Sequence, residues 1–151
     1  MKSRIKALRK GDTGSSLLEF AFAGSVFFVL LIAIFDFSYL YLYKMELQNA
    51  VRQAGRYAIT GQALPSMNRY SSIMQTVSNL SQGLANSSNT TVCSNTGGCG
   101  NAGGPGDVVT VTVNYDYHFH TPLVSKFFTH GKYTIKVSSS FANEAFPPDQ
   151  S

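Results

Sequence analysis

Residues 17–43 read LLEFAFAGSVFFVLLIAIFDFSYLYLY, and Glu19 and Asp36 are the only charges among them. Residues 20–35 form sixteen consecutive positions without a charge. A bilayer core about 30 Å thick needs about 20 helical residues at about 1.5 Å each, so the run is long enough to cross one. A core helix of a soluble protein carries a polar stripe every three or four residues, and residues 20–35 carry none. The pattern therefore reads as a membrane helix, and any fold must be built around it.

Charge gives the helix a direction. The chain has 151 residues with 12 Lys and Arg against 8 Asp and Glu. Five of the bases (Lys2, Arg4, Lys6, Arg9, Lys10) precede the run, and with Asp12 they make residues 1–14 carry the whole formal +4. Residues 15–151 hold seven bases and seven acids and sum to zero. A basic terminus of this kind forms no stripe on a folded face, which argues against nucleic-acid binding. Three bases lie within reach beyond the run (Lys44, Arg52, Arg56) against five before it, so the positive-inside rule keeps the N-terminus in the cytoplasm and sends residues 44–151 across. Tyr39, Tyr41 and Tyr43, followed by Lys44, suit the far headgroup zone. A removable secretory signal fits poorly: the run exceeds the usual 7–15 residues, and no small-x-small site precedes Lys44. An uncleaved signal anchor presenting a small periplasmic binding domain stays open as an alternative of a different class.

Glu19 is costly in lipid, by about 2.5–3.5 kcal/mol at a helix centre and less near an interface, so a partner is expected. It lies five residues beyond Gly14, where the basic leader ends. The stretch Gly14-Ser15-Ser16-Leu17-Leu18-Glu19-Phe20 resembles the class III signal of type IV prepilins. That resemblance implies cleavage between Gly14 and Ser15 by a membrane prepilin peptidase, with the helix retained. Cleavage would create an ammonium at Ser15, with a pKa near 8, as a counter-ion for Glu19 of its own or a neighbouring chain. Glu19 and Phe20 would then set axial register in an assembly. Glu19 snorkelling to the headgroups is the alternative, and Gly11 offers a second cut that would make Glu19 the eighth residue.

Three further stretches narrow the resemblance: Glu19-Phe20-Ala21, Ile34-Phe35-Asp36-Phe37, and residues 47–58 (LQNAVRQAGRYA). Together they look like the TadE-like proteins of the tight-adherence (Tad, or Flp) pilus machinery, which are treated as minor pilins or pseudopilins. One departure is Gly24-Ser25, where the family often has Pro. The resemblance implies a structural, non-enzymatic role in a pilus used for adhesion. The partners it implies are the major pilin, other minor pilins, and an inner-membrane assembly platform driven by a cytoplasmic ATPase. A type II secretion pseudopilin is the close alternative. The expected fold is α+β and type IV pilin-like, a long N-terminal transmembrane and amphipathic helix packed on a small C-terminal antiparallel sheet. The expected boundaries are a leader over 1–14, a transmembrane helix over 15–43 and its amphipathic extension over 44–62.

Asp36, seventeen residues and about 25 Å along the helix from Glu19, reads as a membrane-embedded acid near the outer leaflet. A hydrated interfacial position is expected for it, with a base of an assembly partner as the functional alternative. Beyond the span, Leu47, Val51, Ala54 and Ala58 share one helical face, and the small residues Ala50, Ala54, Gly55 and Ala58 permit close approach by the chain's own sheet or by another subunit.

Residues 63–85 hold a weaker helix with Ile73, Val77, Leu80 and Leu84 in phase, and residues 86–107 read as a polar, Gly-rich surface loop. Cys93 and Cys99 lie in that loop, and their spacing favours a local disulfide. Zinc would need more ligands, and thioredoxin-like chemistry two intervening residues rather than five. The glycines around them are no phosphate cradle, since no Lys-Ser/Thr follows.

Residues 108–141 make an antiparallel hairpin joined by 121–131, leaving 142–151 as a tail. Val109, Val111, Val113, Tyr115, Tyr117 and Phe119 alternate on one strand; Tyr133, Ile135, Val137, Ser139 and Phe141 on the other. A lone hairpin is marginal in water, so its apolar face should cover the helix over 47–58. Asp116, His118 and His120 share the opposite face, but steps of nearly 7 Å along a strand are awkward for one metal, so they read as solvated. No cofactor is expected, and no spacing of Ser, His and Asp points to a catalytic triad.

Overall fold

The computed structural model describes residues 12–146, with side chains from Gly14 onward; the bases of the leader and residues 147–151 lie outside the described part. Helix α1 (Asp12–Ile59) runs unbroken for 48 residues, about 72 Å. Its sequence divides it in two. Through residue 35 no described side chain is buried, and over residues 20–35 the helix carries no charge on any face, whereas from Leu47 a stripe of Leu47, Ala50, Val51, Ala54 and Ala58 is buried completely or nearly so. The i, i+3, i+4 spacing of that stripe gives α1 one face against the sheet. The helix stops where Gly61 takes φ 71°, its N–H donating to the Ala58 carbonyl, a left-handed cap that suits glycine.

Helix α2 (Arg69–Leu80) starts at Asn68, whose side chain accepts from the Ser71 N–H, and buries Ile73 and Val77 against the core. Four strands follow: β1 (Thr90–Ser94), β2 (Gly98–Cys99), β3 (Val108–His118) and β4 (Lys132–Ala142), in spatial order β2-β1-β3-β4 with every pairing antiparallel. A short helix α3 (Pro122–Ser125) and a 3-10 turn (Thr129–Gly131) join β3 to β4. The central strand β3 places Val109, Val111, Val113 and Tyr117 in the core, as the alternation predicts.

The sheet covers α1 as expected, and the contact is close. A Cβ built on Gly55 would lie 1.9 Å from the Phe141 ring, so the missing side chain is what lets β4 seat on the helix.

Two expectations need correction. Residues 86–107 are not all loop, since β1 pairs with the central strand over Thr90↔Val113 to Ser94↔Val109. Its inward side chains are Thr90, Val92 and Ser94, so only one large apolar residue marks the strand in sequence. The second is the tail. Asn143 and Phe146 are buried, the Phe146 ring lying over Gly61 and 4.3 Å from the Arg69 guanidinium carbon. Backbone bonding extends this docking, with the Glu144 N–H donating to the Ile59 carbonyl.

Candidate functional site: the bare half of α1 and its junction with the sheet

The first part of the candidate site is the bare helix. Leu17, Leu18, Phe20 and Phe22 are 70–77% exposed, and the apolar side chains continue exposed through Phe35. Nineteen residues from Leu17 to Phe35 span about 28 Å, close to a hydrocarbon core. Among the described residues this is the one helix long and apolar enough to cross a membrane.

At its start the structure places Gly14 and Ser15 inside the first turns of α1. The Ser15 hydroxyl donates to Glu19 Oε1 at 3.4 Å, one helical turn on, and Phe20 points outward beside it. The ion pairs among the described residues involve Asp116 and Asp36, so no base of the described chain is paired with Glu19. Nothing within 4 Å would meet a Cβ at Gly14 or at Gly24, so packing among the described residues requires neither glycine. At Gly24-Ser25 the helix continues, with the Ser25 hydroxyl donating back to the Ala21 carbonyl, an arrangement that slightly loosens a helix.

The second part is the junction at Asp36, where the structure corrects the expectation of a hydrated carboxylate. Asp36 is 2% exposed and sits beneath the end of β3. The His120 N–H donates to Oδ1 and the Thr121 N–H to Oδ2, each at 3.3 Å, and the Thr121 hydroxyl donates to Oδ2 as well. The Tyr117 hydroxyl donates to the Asp36 carbonyl at 3.3 Å, and His120 Nδ1 stands 3.9 Å from Oδ1. Backbone and hydroxyl donors 84 and 85 residues away thus do the work that water was expected to do.

Aromatic rings surround the carboxylate. Phe37 meets Phe119 and Phe128 edge-on at 6.0 and 6.3 Å, and Phe119 stacks on Phe128 at 4.3 Å. Tyr43 is part of this packing, 5.5 Å from Tyr117, so it is not a free headgroup residue; Tyr39 and Tyr41 remain exposed. Burial pushes the Tyr117 phenol above its ordinary pKa, and the Asp36 charge adds to the effect. The domain therefore grips α1 from Asp36 upward, with Ala33 packed one turn below.

The remaining candidates fall elsewhere. Cys93 and Cys99 are bonded across the β1–β2 hairpin, within the sheet rather than on a free loop. Asp116 accepts from Lys132 Nζ at 2.5 Å and from the Thr134 hydroxyl at 2.6 Å, contacts that hold its carboxyl below the usual carboxylate range. His120 turns toward Asp36 instead, so the two do not converge, and no metal-binding cluster occurs among the described residues. Sequence reasoning did not find Thr121, Phe128 or the buried Arg69, whose guanidinium donates to the Ala58 and Gly103 carbonyls.

A helix bare and apolar over its first half and buried against a small antiparallel sheet over its second is the α+β, type IV pilin-like architecture the sequence implies. The family model described as TadE-like protein matches residues 14–56, or 43 of the 151 residues, so over that segment the TadE-like resemblance is a finding. The matched segment opens at Gly14 and takes in both Glu19 and Asp36. No curated protein and no solved structure matches the chain.

Proposed function

We propose that the chain is a structural minor pilin of a Tad-type pilus. It enters the membrane with its N-terminus in the cytoplasm, is cut between Gly14 and Ser15 by a prepilin peptidase, and is drawn into the filament by its bare helix. The observation that carries this reading is the 28 Å of apolar helix with no buried residue, fixed to a folded domain, over a segment matching a pilus-associated family. Such a surface is at home in lipid before assembly and among other helices after it.

An apolar groove along α1, lined by Leu30, Ala33, Ile34, Phe37, Tyr41 and Met45, runs past the junction and offers a seat for a neighbouring subunit's helix. Among the described residues Glu19 accepts from the Ser15 hydroxyl, and the amine freed at Ser15 after cleavage supplies a cation within a turn or across subunits. The major pilin and other minor pilins are the partners this surface suits. The assembly platform and its cytoplasmic ATPase act on the helix indirectly.

The test is piliation. Deleting the chain removes surface pili and adhesion, wild type restores both, and Glu19→Ala leaves processing largely intact while failing to restore pili. Normal pili in the deletion strain would rule the reading out.

A further inference from the structure

The connection between β3 and β4 carries exposed apolar side chains at a particular height on the molecule. Val109 pairs with Phe141, whose ring lies on Gly55, while Tyr117 bonds to Asp36. Strand β3 thus runs down α1 from Gly55 to Asp36, about 28 Å of helix against about 26 Å of strand. Residues 121–131 continue from that lower end, with Phe128 against Phe37. This is the level at which the bare helix leaves the domain.

At that level Phe127 is 83% and Leu123 is 44% exposed, and Lys126 between them is exposed as well. Val124 turns inward, so α3 divides into a buried side and a bare one. The two bare side chains present roughly 250 Å² together, far below the roughly 800 Å² per partner of a stable protein interface. A Phe and a Leu flanking a Lys, placed where the apolar helix begins, combine the apolar and cationic groups that suit a lipid surface, whose acyl chains take the first and whose phosphates take the second.

We propose that residues 121–131 form a second membrane contact, with Leu123 and Phe127 seated in the outer interfacial layer beside α1 and Lys126 at the lipid phosphates. The proposal rests on the membrane reading of α1. It gives the unassembled subunit two points of attachment, which fixes how the domain faces the membrane plane and how the groove on α1 is presented.

The chain has no Trp, so one substitution creates a unique fluorophore. Full-length Phe127→Trp is reconstituted in phosphatidylethanolamine and phosphatidylglycerol vesicles, plain or brominated near the top of the acyl chains. Phe28→Trp reports on the span, and Thr60→Trp, some 36 Å above Asp36 along α1, reports on the far end of the domain. The expected result is a blue-shifted Phe127→Trp emission that loses most of its intensity in brominated vesicles, as Phe28→Trp does, with Thr60→Trp unaffected. Quenching of Phe28→Trp alone overturns the loop contact and leaves the span standing. Quenching of neither shows that α1 does not enter the bilayer, and the loop proposal falls with it. Equal quenching of Thr60→Trp overturns the proposal too, because the domain then lies on lipid without using this loop.

Discussion

Asp36→Ala tests the junction between helix and sheet. The substitution removes the acceptor of three donors, the His120 and Thr121 amides and the Thr121 hydroxyl. Hydrogen bonds to a charged group contribute about 1.5–3 kcal/mol each, and a donor left unsatisfied costs about 1–3 kcal/mol. Three terms lower the sum. Both amide contacts are long at 3.3 Å, water reaches the exposed His120 turn, and removing the carboxylate also removes its desolvation cost. The net expectation is a loss of about 2–4 kcal/mol in closing the junction, or roughly 30- to 1,000-fold in its opening equilibrium. Hydrogen exchange of the full chain in bilayer discs reads this directly. Peptides covering residues 117–128 should lose protection by that factor, while β1, paired on the far side of β3, stays protected. Asp36→Asn, which keeps one acceptor oxygen, should fall between. Wild-type protection in Asp36→Ala would refute the idea that Asp36 holds the domain on the helix, as would an Asp36→Asn worse than Asp36→Ala.

Gly55→Ala places a methyl inside the Phe141 ring position and should destabilise the domain by about 1–3 kcal/mol in denaturant titration; Phe141→Leu should relieve part of that cost in the double variant. Replacing Cys93 and Cys99 by Ser opens a loop of about seven residues, worth at most about 2.4 kcal/mol by chain entropy, and should lower the midpoint without unfolding the protein at room temperature. Asp116 has a folded pKa below its unfolded one, so its contribution is present above the unfolded value and lost as pH falls through the folded one. Asp116→Asn should therefore flatten the acid limb of the stability profile, and an unchanged limb would show that its contacts with Lys132 and Thr134 are idle.

The parts of the fold that sequence made legible are those whose signal is local. The bare helix follows from sixteen consecutive uncharged residues, the buried stripe of Leu47, Val51, Ala54 and Ala58 from its spacing, and β3 from its alternation. Strand β1 was hidden because its inward positions are mostly Thr and Ser, so pairing with β3, not apolar periodicity, makes it a strand. Docking of Asn143 and Phe146 depends on Gly61 and Arg69, far away in the chain. Asp36 was the instructive case: an acid in an apolar run announces that it needs partners, but not which. Its partners are mostly backbone N–H groups, which every residue other than proline has, so no residue type could mark them. The surroundings of Gly14 and Glu19 point the other way. Among the described residues Gly14 meets nothing within 4 Å of a built Cβ, and Glu19 meets the Ser15 hydroxyl one turn away, so packing among those residues accounts for neither.

A minor pilin keeps its apolar helix while its leader is lost. The direct measurement is the intact mass and N-terminal sequence of the membrane-associated protein from cells with and without prepilin peptidase. The expected result is a species beginning at Ser15 in the first and the uncut chain in the second. A chain beginning at Met1 or near Lys44 in both would contradict it.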